Sequence, residues 1–210
     1  MAIDLESDPD RAADLCRAAY QRLAETVSGL TDDQMPRPSL LPTWSVGHVL
    51  THLARNAEGH SRRLQGALLN EDVPKYAGGS EQRAQEIEDG ADRPAAEVLA
   101  DLEASQRRLE NLFTESSNAG WPNPQLAGDA SYGPRGCPSH RLREIEMHHV
   151  DLGLGYAPAN WPDEYVAWDL DVLLSTVSER LADPSHRRDL MAWLAGRGAL
   201  PSDLTLDPWG

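Results

Sequence analysis

Apolar residues return every third or fourth position along almost the whole chain, and this periodicity decides what the chain can fold into. Leu15, Ala19, Leu23 and Val27 form one stripe, Val46, Val49, Leu50, Leu53 and Ala57 a second, and Leu99, Leu102, Leu109 and Leu112 a third. No sustained strand-like alternation competes with them, and there is no internal repeat. Asp8 followed by Pro9 reads as a cap and a first helical position, opening a helix that Gly29 closes. Ser45 caps a second long helix reaching about Leu69. Ser80 opens a shorter helix carrying Arg83 and Ile87, and Asp92 with Pro94 opens a third long one. From Asn118 to Ser139 Gly, Pro and Asn dominate, which predicts a long loop with room for a short hairpin. A loop this long inside a compact domain is often functional. Ser139 is then expected to cap the helix containing LREIEMHHVD, residues 142–151. Past Gly153 and Gly155 two further helices are expected, Asp163 to Leu181 and Ser185 to Ala195, with Gly196 as a stop. The tail 200–210 has no period. The pattern predicts an all-α protein: an antiparallel four-helix bundle over 1–156 and a helical appendage over 157–210.

Composition narrows the partners. The chain has 210 residues, 25% of them charged and 40% apolar, which fits one sizeable core. A net charge of −15 repels nucleic acid and anionic membranes, and the arginine pairs at 62–63, 107–108 and 187–188 make no stripe against it. No apolar run is long enough to span a bilayer, and the acidic N-terminus lacks a signal core, so a cytoplasmic location is expected. Cys16 and Cys137 are expected as free thiols rather than a disulfide. There is no phosphate-cradling glycine loop and no nucleophile elbow.

The chemistry is concentrated in histidines and carboxylates. Residues four apart on a helix share a face, so Glu144 with His148 and His48 with His52 are candidate half-sites, and Glu146 with His149, three apart, is another. His148 and His149 diverge by about 100° and do not share a small ion easily. Two imidazoles and a carboxylate from two helices make a set that suits Zn²⁺ with an open fourth position, or an Fe(II) facial triad. Spacing alone does not choose among the pairs, since surface contacts at the same spacing are common. Cys137, beside Arg135 and just before a helix start, is a weaker candidate: such a setting lowers a thiol pKa.

Two stretches together resemble a known family. PTWSVGHVLTHLARNAEGHSRRL is similar to the metal-bearing second helix of the mycothiol-dependent maleylpyruvate isomerases, members of the DinB-like bundle superfamily. LREIEMHHVDLG is similar to their R-E-x-x-x-H-x-x-D-L helix, and LMAWLAGRG followed by LDPWG resembles the end of their C-terminal region. The resemblance implies a DinB-like bundle with His52, Glu144 and His148 as metal ligands, water or thiolate in the fourth position, and Arg83 and Arg197 as substrate-binding arginines. His48, Glu146 and His149 then become neighbours. Asp151 stands between a partner of a ligand imidazole and a solvated helix end. One departure stands out. Between Asp151 and Arg197 the family carries strands in a small α/β domain, whereas here the interval is short and reads as helix only, so the C-terminal region is expected as a reduced version.

The implied activity is a cis–trans isomerase dependent on zinc and on mycothiol, acting on maleylpyruvate or a similar enoate. Another divalent ion would suit the same ligands. A zinc-dependent mycothiol S-transferase is the first alternative and a non-catalytic metal-binding bundle the second. The expected partners are a small-molecule substrate and a low-molecular-weight thiol, with no nucleic acid or membrane, and a monomer is expected.

Overall fold

The computed structural model of the chain describes residues 4–207, where seven α-helices and no strand are found. The N-terminal tripeptide and the last three residues of LDPWG, residues 208–210, lie outside the described residues. One compact unit runs to Tyr165 and a second begins at Val166.

In the first unit the four long helices are α1 (Pro9–Val27), α2 (Val46–Leu68), α4 (Ala95–Asn118) and α5 (Cys137–Asp151), with α3 (Gly79–Ala91) beside α2. The predicted caps explain two starts. Asp8 accepts from the Arg11 N–H at 3.1 Å, and Ser45 accepts from the His48 N–H at 3.3 Å. α5 begins two residues before the serine expected to cap it. Pro138 takes the first turn, and Ser139 lies inside the helix, its hydroxyl donating to the Gly136 carbonyl at 3.0 Å. The 119–133 stretch holds turns rather than a hairpin, and a short 3₁₀ turn at Pro134–Gly136 leads into α5.

Cross-helix bonds give the directions. His52 meets Glu144, and Arg63 meets Cys137, so α2 and α5 run antiparallel. Asp32 accepts from the Ala95 N–H beside the far end of α1, while Gln106 reaches Cys16, so α1 and α4 are also antiparallel. Ser7 bonds Arg135 and Thr26 bonds His149, so α1 and α5 run alongside each other in one direction. Arg55 with Asp101 and Gln65 with Arg108 do the same for α2 and α4. α3 makes this order possible by carrying the chain back along α2. The 28–45 segment joins α1 to α2, and the 119–136 segment joins α4 to α5; each crosses a diagonal of the bundle, which accounts for its length.

The core is the apolar stripe set: Ala12, Cys16, Ala19 and Leu23 of α1, Val49, Leu50, Leu53 and Leu64 of α2, Val98, Leu102 and Leu109 of α4, and Leu142 and Ile145 of α5 are buried. α2 and α3 approach unusually closely. A Cβ on Gly47 would lie 2.1 Å from the Ala91 carbonyl oxygen, and one on Gly90 would lie 2.5 Å from the Thr51 methyl.

The second unit holds most of α6 (Asp163–Thr176), a 3₁₀ turn at Pro184–His186 and α7 (Arg187–Leu194). Its tail returns as an isolated antiparallel bridge between Leu181 and Leu206, reinforced by Asp207 N–H donating to the Arg180 carbonyl at 2.7 Å. Gly196, at φ +66°, ends α7 where a side chain would be strained. Among the described residues no helix is long and apolar enough to cross a membrane.

The α2–α3 contact gives a stability prediction. Gly47→Ala pushes a methyl against a backbone carbonyl that no rotamer change can move, so it is expected to lower stability by about 1–3 kcal/mol. Urea denaturation of the variant measures this; an unchanged midpoint and slope would contradict the close packing.

Candidate metal centre

The cluster is built by two antiparallel helices that each expose a polar strip to the seam between them. Ser45 starts α2 with a reciprocal cap: the His48 N–H donates to its hydroxyl, and its own N–H donates to the His48 Nδ1 at 3.2 Å. His48 is therefore spent on the helix start, with its Nε2 3.4 Å from Glu88. One turn on, the same face presents His52, whose side chain is only 2% exposed. α5 answers with Glu144 and His148, one turn apart.

Glu144 Oε2 stands 2.9 Å from His52 Nε2 and 3.5 Å from His148 Nε2. The imidazoles meet edge to face, centroids 4.5 Å apart and planes at 83°. One donor atom from each of the three residues falls within 4.8 Å of the others. Tetrahedral zinc with bonds near 2.0–2.1 Å needs neighbouring donors about 3.3 Å apart, and the two observed separations bracket that value. The Glu144 and His148 side chains keep 27% and 19% exposure, which leaves the cluster open on one side for a further ligand.

The second nitrogens distinguish the two histidines. His148 Nδ1 donates to Asp151 Oδ2 at 2.8 Å, which fixes the ring and directs Nε2 at the cluster, the usual arrangement behind a metal-bound imidazole. Asp151 is thus a partner of His148 and not a solvated helix end. His52 Nδ1 faces Arg83, whose Nη2 lies 2.9 Å away. A guanidinium only donates, so Nδ1 accepts, and the ring proton sits on Nε2, aimed at Glu144. An ion on His52 Nε2 requires the other tautomer, with Nδ1 protonated and Arg83 turned away. The donor set fits a divalent ion; the position of Arg83 belongs to the metal-free tautomer.

The charges follow from this geometry. Burial holds His52 down at about 4, with the Glu144 hydrogen bond and charge opposing it. Burial also disfavours charge on His148, but hydrogen bonds to Asp151 and Glu144 overcome it and carry its pKa up to about 9. Burial likewise works against ionised Glu144, yet hydrogen bonds from His148 and His52 bring it well below the usual carboxylate range. At neutral pH the metal-free cluster is an imidazolium held between two carboxylates, beside a neutral imidazole.

Trp44 walls the cluster, its ring 5.4 Å from that of His52. Its segment is pinned by the Leu40 N–H to the Asp151 carbonyl at 2.7 Å. Thr43, just before it, stands at φ +69°, a rare conformation for a β-branched residue.

The remaining candidates lie elsewhere. Glu146 and His149 face α1: Glu146 is buried and takes Arg22 at 2.6 Å and the Tyr156 hydroxyl at 2.5 Å. His149 bonds Thr26 at 2.8 Å and stacks on Tyr156. They hold α5 to α1. Cys137, the weaker candidate, is not an activated thiol: it is fully buried, and burial pushes it up to about 11 despite Arg63 nearby. Both cysteines are free. Arg197, in the second unit, is exposed and bonds the Ala195 carbonyl at 3.1 Å. Sequence reasoning missed Trp44 as a wall, and also the buried Arg141, which donates to the Leu53 carbonyl and Asn56 Oδ1, each at 2.9 Å. Asn56, in register with His52 at i,i+4, was the available signal for Arg141.

A helical bundle with two histidines and a carboxylate converging from antiparallel helices defines the class. The match to the family described as "Mycothiol maleylpyruvate isomerase N-terminal domain" covers residues 16–153, and the chain belongs to that family. Among solved structures the chain is similar to a crystal structure of the mycothiol-dependent maleylpyruvate isomerase, with a TM-score of 0.70 and 24% identity. A structure of the H52A mutant of that enzyme matches with the same TM-score and 23% identity. Each match covers 75% of this chain and 66% of that one. Comparison with curated proteins returns no match.

Because His148 carries a proton up to about pH 9, a divalent ion must displace it. Zinc titrations of the metal-free protein are expected to release about one proton per ion at pH 7. The logarithm of affinity should rise by about one per pH unit and flatten near pH 9. Asp151→Asn should move that break to lower pH and weaken binding by about 10–100-fold. Calorimetry in buffers of different ionisation enthalpy measures both; pH-independent binding would contradict the arrangement.

Proposed function

We propose that the chain is a zinc- and mycothiol-dependent cis–trans isomerase acting on maleylpyruvate or a similar activated enoate. The observation that carries this reading is the convergence of His52, Glu144 and His148 on one point, in a chain of this family. These three residues would hold the ion, with Asp151 keeping His148 in the required tautomer. A divalent ion held by these residues would let mycothiol bind as thiolate at neutral pH, the nucleophile for reversible addition to a conjugated double bond. The protein's own residues do the rest. Arg83 reaches the cluster from α3, and once released from His52 its planar fork suits a substrate carboxylate. The same guanidinium would answer the negative charge that develops on a conjugated enoate during addition. Trp44 shields one side from water. The part assigned to Arg197 rests on the sequence resemblance, and an Arg197→Met variant with raised KM would support it.

One observation favours a second reading. The described C-terminal residues form helices and no strand, which supports a changed substrate and a mycothiol S-transferase on the same cluster.

Incubating the zinc-loaded protein with maleylpyruvate and mycothiol separates the readings. The isomerase produces fumarylpyruvate with free thiol undiminished; a transferase consumes thiol in step with substrate; a non-catalytic bundle does neither. His52→Ala is expected to lose bound zinc and to lower turnover by about two orders of magnitude or more. Full turnover in that variant would sink the proposal.

A further inference from the structure

One turn below the cluster the seam between α2 and α5 holds cations that, among the described residues, make no hydrogen bond or ion pair to a carboxylate. Arg141 is fully buried, and its hydrogen-bond partners are neutral: Gln106 Oε1, the Leu53 carbonyl and Asn56 Oδ1. Its Nη2 has no partner, and neither has the Nδ2 of the adjoining Asn56 amide. Arg63, 2% exposed, donates to the Ala127 and Tyr132 carbonyls and approaches the Cys137 sulfur. His60 continues the face of His52 and Asn56 at four-residue spacing. It is completely buried, and both of its ring nitrogens lack a partner. A neutral imidazole offers one donor and one acceptor, and buried polar atoms of this kind are rarely left unsatisfied.

Lys75 completes the set from the 70–78 loop. Its stem crosses α2 at Gly59, where a Cβ would lie 2.6 Å from the Lys75 Cγ, so a glycine is required for the side chain to pass. The loop itself is tied down: the Lys75 N–H donates to Asp129 Oδ1 at 2.9 Å, and Asp72 Oδ1 accepts from the Gly128 N–H at 2.6 Å. Among the described residues the ammonium has no hydrogen bond or ion pair; its only ring neighbour is Tyr76, 5.7 Å from the centroid. Burial draws its pKa below the usual lysine range, and the carboxylate that most favours its charge is Glu144. Burial and then Lys75 itself keep His60 neutral. The placement follows from α2: the Lys75 Cε passes 3.2 Å from where a Cβ on Gly59 would lie, His60 is the next residue, and Asn56, one turn before it, holds Arg141 at 2.9 Å. If Glu144 is engaged with a divalent ion, that space is left with positive charge and unfilled donors.

We propose that Lys75, the free Nη2 of Arg141 and His60 form an anion subsite beside the metal centre that takes a carboxylate of the ligand, with Lys75 as the charge that recognises it. That this carboxylate belongs to the isomerised enoate rests on the proposed function; the subsite itself does not. Its position beside the cluster fits a cis diacid that spans the two, with one carboxylate turned toward Lys75.

Maleate, a cis diacid, is the probe, and thiol is omitted so that no reaction occurs. Zinc-loaded wild type and Lys75→Met are titrated with maleate by calorimetry, with zinc content and thermal midpoint recorded for each. The expected result is at least a tenfold weaker affinity in Lys75→Met with zinc content unchanged, and retention in Lys75→Arg. His60→Phe, which fills the same space without polar atoms, should also weaken maleate by several-fold. Equal maleate affinity in wild type and folded Lys75→Met overturns the subsite, as does failure of wild type to bind maleate. Lys75-dependent maleate binding without isomerisation would reject the reaction and keep the subsite. Isomerisation with the same KM in Lys75→Met would keep the reaction and reject the subsite.

Discussion

The contact on which the arrangement depends is the one between His52 and Glu144 across the α2–α5 seam. An ionised carboxylate drawn largely out of water is costly unless several donors answer it. Here Glu144 has an imidazole at 2.9 Å and a second at 3.5 Å. That requirement sets the register of α2 against α5, because a displacement by one residue would turn either side chain about 100° away. Asp151, Trp44 and Arg83 are each arranged around it, from three different segments of the chain.

The same seam explains the unusual helix directions. α5 must run antiparallel to α2 to present Glu144 and His148 against His52, while its opposite face, through Glu146 and His149, is fastened to α1. One helix therefore serves two neighbours, polar on both sides, with Leu142 and Ile145 between. This is why its polar residues outnumber what a simple amphipathic helix would carry. α3, packed onto α2 through Gly47 and Gly90, returns the chain and brings Arg83 to the cluster.

The helices were legible because their stripes and caps are local signals: Asp8 and Ser45 do what their positions predict. The start of α5 was misplaced because Pro138 is at home in a first helical turn, so the helix opens ahead of the serine that looked like its cap. The pairing of Glu144 with His148 was readable from spacing, but the choice of His52 over His48 was not. That choice depends on a reciprocal cap in which His48 takes the Ser45 N–H, and an imidazole is an uncommon occupant of that role. Lys75 and His60 were silent for a different reason. A lysine in a loop and a histidine on a helix carry no pattern, and only the tertiary contact through Gly59 reveals where the lysine reaches. Cys137 stays the weaker candidate that the sequence makes it, since a helix start and a nearby arginine favour a thiolate only where the thiol is not buried.

The central claim is that His52, Glu144 and His148 hold an ion whose open position accepts a thiol. Zinc-edge X-ray absorption of the loaded protein, before and after mycothiol, tests it most directly. The account predicts nitrogen and oxygen donors at about 2.0–2.2 Å and no sulfur at first, then one sulfur at about 2.3 Å once the thiol is added. An unchanged shell after thiol, or sulfur donors from the protein before it, would contradict the account.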